Sequence, residues 1–326
     1  MKQSAGAPSA SAIAKRAAYR GQVPYFLRAR NDIRRNPSLY AMLLPVLAFY
    51  LLFCYKPMYG ALIAFFDFTP GIPLFDNKFI GARNFLDFFA NRTFSRVMRN
   101  TLTISLATIA CGFPAPIALA LLLNELRSRR YSRVVQTVSY MPHFISLVVI
   151  CGMIRDFTGS HGVIVQALAS LGLMEPVAML SKSRMFLPIY VISDIWQGVG
   201  YGSIIYLAAL TGIDQEQYEA ATIDGAGRWK QLLHVTLPGI APTVMTMLLL
   251  RLGRVMNVGF EKIILLYNAQ TYEVADVISS YVYRVGLQQF DYSYSTAVGL
   301  FNSAINLIVL VLANAASKKT TGSGLW

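Results

Sequence analysis

Apolar blocks long enough to cross a membrane recur along this chain, and no other feature limits its fold as strongly. A helix spanning the hydrocarbon core of a bilayer needs about 20 consecutive apolar residues. In that core every backbone N–H and C=O must be satisfied inside the segment, which favours helices. Six stretches meet the requirement, at about 40–65, 101–123, 134–153, 186–210, 240–258 and 296–315. Only 14% of the 326 residues are charged, where a soluble domain carries about 25%. The pattern predicts an all-α membrane protein with six transmembrane helices. Lys56-Pro57 is expected to kink the first span, and Pro114 and Pro116 to bend the second. Gly198 and Gly202, four residues apart in the fourth, are expected to let helices approach closely.

The formal net charge is +13, and a basic balance can signal nucleic acid. Here the positive residues sit in short runs beside apolar blocks, so the lipid bilayer is the expected partner and nucleic acid is not. Residues 1–37 hold eight Lys and Arg against Asp32, 8 − 1 = +7, and read as a basic cytoplasmic segment lying partly on the membrane surface. Arg127, Arg129, Arg130 and Arg133 mark a cytoplasmic turn after the second span. Six spans then place both termini in the cytoplasm, with Lys318 and Lys319 in a short tail at 318–326. Segments expected inside hold 8 + 4 + 2 + 2 = 16 of the 29 Lys and Arg. Five in the loop at 67–99 fit this orientation less well. Cys54, Cys111 and Cys151 all fall in apolar stretches and read as core thiols, with no disulfide framework or metal spacing.

One polar segment, 212–239, interrupts two apolar blocks in the second half. Asp214 is placed to cap a helix over 215–223. Asp224-Gly225 ends it, since glycine accepts the left-handed conformation of a helix stop. A second short helix follows, with Trp229, Leu232 and Leu233 on one face, and Pro238 is expected to stop it. Such a helical elbow suits docking into another protein's groove.

In this elbow Glu219-Ala220-Ala221, Asp224-Gly225-Ala226 and Leu237-Pro238 resemble the EAA loop of permease subunits of binding-protein-dependent ABC importers. Three further stretches resemble the carbohydrate branch, oligosaccharide permeases in particular: Met141-Pro142-His143-Phe144-Ile145-Ser146, Trp196-Gln197-Gly198-Val199-Gly200-Tyr201-Gly202-Ser203 and Asn257-Val258-Gly259-Phe260-Glu261. The resemblance covers about 38–317 and implies the type I ABC importer permease fold in a bacterial cytoplasmic (inner) membrane. It further implies two ATP-binding subunits, a second related permease subunit, an external solute-binding protein and an oligosaccharide substrate. Glu219, Ala220, Ala221, Asp224, Gly225, Ala226, Arg228, Leu237 and Pro238 would form the ATPase-coupling surface.

No Gly-x-x-x-x-Gly-Lys-Ser/Thr loop is present in the sequence, so the chain is expected to have no ATPase site and no cofactor of its own. No catalytic residues and no metal ligands are expected. A charge inside a membrane helix costs about 2.5–3.5 kcal/mol on insertion scales. Asp194, Arg251 and Arg254 therefore need water or partners. They either line a polar substrate pathway with Trp196, Gln197, Tyr201 and Asn257, or form an internal pair of Asp194 with Arg251 or Arg254. The basic group Arg251, Arg254 and Lys262 suggests an acidic sugar, such as a uronate or alginate fragment. The competing functions are an ion-coupled secondary transporter, which would need more acidic residues in the spans than Asp194, and a polysaccharide-processing membrane enzyme, which would need clustered catalytic acids.

Overall fold

The structure, a computed structural model, describes residues 32–322 and 324–326. The basic segment expected over 1–37 therefore lies mostly outside the described residues. The chain divides into two units, one ending at Leu62 and one spanning Ile63–Trp326.

In the first unit, α1 (Pro37–Phe49) begins with proline at its first position, where a missing N–H has no helical partner to lose. A π-type turn over Tyr50–Tyr55 follows, then helical residues Lys56–Met58. The wide turn falls directly ahead of Lys56-Pro57, where the kink was expected, and proline's missing N–H is one cause of such irregularities. None of the residues of these segments is buried within the single chain.

The second unit starts with a small antiparallel hairpin, β1 (Phe66–Asp67) against β2 (Lys78–Phe79), with Phe66 opposite Phe79. Helix α2 (Arg83–Ala90) follows and buries Asn84 and Phe88. The Asn84 side chain donates to the Ala64 carbonyl at 2.9 Å. Helix α3 (Arg92–Gly112) begins well before the expected residue 101, because the Asn91 side chain caps it by accepting from the Thr93 N–H. Phe113 separates α3 from α4 (Pro114–Asn124), which places the break at the first of the two prolines.

The third expected span is not continuous. Helix α5 (Arg129–Tyr140) passes into a 3-10 turn at Met141–Phe144, and α6 (Leu147–Phe157) leaves at 101° to it. Pro142 cannot donate to the helix ladder, and Ile145 and Ser146 are extended (ψ 138 at both). The Met-Pro-His-Phe-Ile-Ser stretch is thus a corner rather than part of a straight rod. After α7 (Val163–Ser170) comes α8 (Ser183–Thr211), 29 residues long, or about 43 Å at 1.5 Å per residue.

The elbow is α9 (Gln215–Ile223) and α10 (Arg228–Gln231), joined to α11 (Leu237–Leu252) by a π-type turn at Leu232–Thr236. Pro238 therefore does not stop the second helix. It sits in the first turn of α11, where the preceding wide turn leaves no ladder bond for it to break. The rest comprises α12 (Phe260–Leu266), α13 (Tyr272–Ala275), α14 (Ile278–Tyr283), a further π-type turn at Arg284–Gln288, and α15 (Tyr292–Thr321).

Among the described residues, four helices are long and apolar enough to cross a membrane: Pro37–Phe65, Arg92–Asn124, Arg228–Leu252 and Tyr292–Lys319. The bent α5–α6 pair makes a fifth candidate. Helix α8 has the length but falls short on apolarity, because Asp194, Gln197 and a Gly/Ser/Tyr run interrupt it.

Three apolar clusters hold the second unit together. Ile104, Ile150, Phe186, Tyr190, Ile263 and Leu266 join α3, α6, α8 and α12. Phe88, Val97, Met256, Ile278, Tyr281 and Val298 join α2, α3, α14 and α15. Ala120, Tyr206, Leu210, Ile213 and Ile240 close the end next to the elbow. Close helix contact is made at Gly200, where a Cβ would collide with the backbone of Ser139 in α5, and at Gly202, 3.2 Å from the Pro116 ring. At Gly198 a Cβ would meet nothing within 4 Å, so the close-packing pair is Gly200 and Gly202 rather than Gly198 and Gly202. Only Cys151 of the three cysteines is buried; Cys54 and Cys111 are exposed on the single chain.

Candidate functional site

A cavity of about 590 Å³ opens between α3, α8, α11 and the turn into α12. Helix α8 contributes Tyr190, Asp194 and Gln197, spaced four and three residues apart, so that they share one face. Helix α11 and the turn after it contribute Met247, Leu250, Arg251 and Arg254 with the same helical spacing. Asn257 and Lys262 complete the polar wall. Three cations thus face one carboxylate.

Asp194 pairs with Arg251, Oδ2 to Nη2 at 3.6 Å, and with Lys262, Oδ1 to Nζ at 3.7 Å. The pairing partner is therefore Arg251 together with Lys262, and not Arg254. Arg254 has no ion-pair partner among the described residues. Lys262 is held in other ways as well: its Nζ donates to the Tyr190 carbonyl at 3.4 Å and lies 4.9 Å from the centre of the Tyr190 ring.

Asn257 is fixed from the closing helix. Asn302 and Asn306 donate their side-chain N–H groups to its Oδ1 at 2.6 and 3.2 Å, and Asn306 accepts from the Met256 N–H at 2.9 Å. The apolar pattern of 296–315 alone does not reveal this asparagine set. The signal was available as two amides four residues apart.

Two aromatic residues expected beside the sugar path lie elsewhere. Trp196 is two residues beyond Asp194, roughly 200° around α8, and it lines a separate apolar pocket with Phe157, Ile189 and Ile192. Tyr201 stacks on His143 of the corner, with ring centroids 3.9 Å apart and planes 4° from parallel.

The elbow is built as its residues imply. The Asp214 side chain accepts from the Glu216 N–H at 3.0 Å. Gly225 has φ +73, and the Ala226 N–H returns to the Ala221 carbonyl at 2.8 Å, the bond that closes a helix through a left-handed stop. Gln231 clamps the corner by donating to Thr222 Oγ1 and the Ala226 carbonyl, both at 3.0 Å, while Tyr218 OH meets Thr236 Oγ1 at 3.0 Å. Glu219, Ala220, Asp224 and Arg228 are exposed; Ala221, Ala226 and Leu237 are half-buried; Pro238 is exposed. Arg228 also reaches Glu125 at 3.9 Å. Of the expected apolar face, Leu232 turns inward, while Trp229 and Leu233 are exposed at 78% and 56%. Ile223 is exposed at 86%. A rigid corner carrying three large exposed apolar side chains has the makings of a docking surface.

A second charged cluster lies in the stretch 261–295 and was not anticipated. Asp276 is engaged by Arg284 through two parallel bonds of 3.1 and 2.8 Å, by Arg96 at 3.4 Å and by Ser280 Oγ at 2.8 Å. The Tyr272 ring lies beneath both guanidinium groups, at 5.0 Å from Arg284 and 5.4 Å from Arg96. Burial pushes the Tyr272 phenol above its ordinary range, and the Asp276 charge adds to the push while Arg284 and Arg96 oppose it. Asn100 of α3 donates to the Glu273 and Asp276 carbonyls at 2.7 and 3.0 Å. This cluster ties the segment after α12 to α3.

Apolar helices enclosing a charged cavity, with an exposed two-helix corner between two of them, define a polytopic membrane protein of the transporter class. Residues 112–322 match the family described as binding-protein-dependent transport system inner membrane component. The chain belongs to that family. It is 43% identical to Protein LplB of Bacillus subtilis (strain 168), over 90% of this chain and 92% of that one. To the polygalacturonan/rhamnogalacturonan transport system permease protein YteP of the same organism it is 40% identical, over 88% and 90%. Its fold matches a chain of a bacterial alginate ABC transporter, solved in complex with an alginate pentasaccharide-bound periplasmic protein, with a TM-score of 0.83 and 44% identity over 90% of this chain and 99% of that one.

Proposed function

We propose that this chain forms one half of the membrane path of an ATP-driven importer, and that its cargo is an acidic oligosaccharide. The observation that carries the reading is the cavity in which Arg251, Arg254 and Lys262 face the single carboxylate of Asp194. A surplus of fixed positive charge in a partly enclosed site favours an anion, and guanidinium groups match a carboxylate's two oxygens. The amides of Gln197 and Asn257 supply neutral donors and acceptors for sugar hydroxyls. The similarity to an importer of the acidic polysaccharide alginate and to a polygalacturonan/rhamnogalacturonan permease supports the same chemistry.

A second permease subunit completes the path, and a solute-binding protein delivers the sugar from outside. Two ATP-binding subunits supply the energy, because the sequence holds no phosphate-binding loop of its own. They dock on Ile223, Trp229 and Leu233 of the elbow, with Glu219, Asp224 and Arg228 at the rim. Gly225 keeps the corner in its bent form. The basic runs near the first span and after the second support an orientation with the elbow and both termini in the cytoplasm.

Uptake by proteoliposomes holding the complete complex tests this. A uronate oligosaccharide and a neutral one of equal length are supplied with the binding protein and ATP. Uronate uptake should exceed neutral uptake at equal concentration. Faster uptake of the neutral sugar would overturn the acidic-cargo reading.

A further inference from the structure

The cavity already contains one anion of its own, and its bonding is unlike that of a structural carboxylate. Both contacts of Asp194, at 3.6 and 3.7 Å, are well beyond the 2.7–2.9 Å typical of a hydrogen-bonded ion pair. Its side chain is 34% exposed to the cavity and Arg251 is 41% exposed, whereas Lys262 is only 5% exposed. Lys262 is also held by the Tyr190 carbonyl and ring, contacts that Arg251 lacks. Arg251 has no second ion pair or hydrogen bond among the described residues. Beside it, on α3, stands Gly112, where a Cβ would make only an ordinary van der Waals contact with the guanidinium, at 3.7 Å. Arg251 is thus a partly exposed cation at the cavity wall whose ion-pair partner among the described residues, Asp194, stands at 3.6 Å.

We propose that Asp194 is a built-in competitor for the sugar's carboxylate. In the empty cavity it occupies Arg251. An arriving uronate first meets Arg254, which is unpaired, and then takes Arg251 from Asp194. The displaced Asp194 carboxylate remains next to Lys262 and repels the bound anion, so the sugar is released rather than trapped. Asp194 in this role lowers affinity and speeds turnover, which is what a pathway needs and a storage site does not. The inference rests on the acidic-cargo reading above.

The test is uronate uptake by the reconstituted complex, with KM and maximal rate read separately for wild type and Asp194→Asn. Removing the charge should lower KM for the uronate oligosaccharide on the order of tenfold, as loss of one like charge a few ångströms away implies. The maximal rate should fall, and the ratio of neutral-sugar KM to uronate KM should rise. A purely structural Asp194 would give the reverse, because Arg251 would lose its position and uronate KM would rise. A KM that rises or does not change, in a complex whose wild type prefers uronate, overturns the competitor role alone. A wild type that prefers the neutral sugar overturns the cargo reading, and this proposal with it. If Asp194→Asn fails to assemble, Asp194→Glu decides. Its longer carboxylate should hold Arg251 more tightly and raise uronate KM, and a lowered or unchanged KM would contradict the proposal.

Discussion

Two carboxylates in this chain each stand between two cations, and they differ in almost everything else. Asp276 is 1% exposed, is bound by Arg284 through two bonds, and is further engaged by Arg96 and Ser280. Asp194 is 34% exposed and reaches its cations only at 3.6 and 3.7 Å. The sequence around each is similar in kind, an acid with basic residues elsewhere in the chain. What separates them is closure. A charge removed from water needs every lone pair satisfied, and Asp276 meets that condition with protein groups. Asp194 does not, and faces a cavity where solvent or a ligand must do the rest. Here the incompletely paired carboxylate lines a cavity wall, while the fully paired one is a strut between α3 and the 272–284 segment.

The largest effect is expected where the strut is broken. Asp276→Ala leaves two guanidinium groups packed over Tyr272 without a counter-ion, and removing one partner of a buried pair costs about 3–5 kcal/mol. Thermal unfolding of the purified complex should show a clear loss of stability, and wild-type stability would erase the distinction between the two clusters. Next comes Gly225→Val. The residue sits at φ +73 with open space around a would-be Cβ, so the cost is backbone strain alone, about 1–2 kcal/mol for a residue in the left-handed region. Membrane insertion should survive while ATP hydrolysis stimulated by the loaded binding protein is lost. Normal stimulation would detach the elbow from coupling.

Arg254→Gln should raise KM for uronate oligosaccharide roughly tenfold, the scale of one charge-assisted contact, with assembly of the complex unaffected. Smallest is Trp196→Ala: its ring lines the separate apolar pocket, so uronate KM should stay within about twofold of wild type, in keeping with the small effects of substitutions away from a site. A larger change would bring that pocket into the pathway.

Much of this arrangement was legible in the residues. The elbow depends on neighbours in sequence: Asp214 capping Glu216, and Gly225 taking the left-handed turn. Asp194, Gln197, Arg251 and Arg254 stood out because charge and amide groups are costly inside apolar helices. Other features were hidden for physical reasons. The Arg96–Asp276 contact joins residues 180 positions apart, and no local pattern announces it. Trp196 and Tyr201 shared a Gly-rich run with Gln197, but helical rotation sends Trp196 away from the cavity, and Tyr201 lies about 10 Å further along α8 than Asp194. Pro238 looked like a stop because proline breaks a regular ladder. The wide turn at Leu232–Thr236 removes the ladder bond it would have broken. The corner at Met141–Ser146 is hidden in the sequence because apolarity alone does not distinguish a rod from a bend.

The most direct measurement is the structure of the assembled complex, with ATP hydrolysis blocked in the partner subunits and a uronate oligosaccharide loaded through the binding protein. Expected is sugar density in the cavity between α8 and α11, with a carboxylate in ion-pair range of Arg254 and Arg251 and the ATP-binding subunit seated on Ile223, Trp229 and Leu233. Sugar bound away from those arginines, or an elbow touching no ATP-binding subunit, would contradict it.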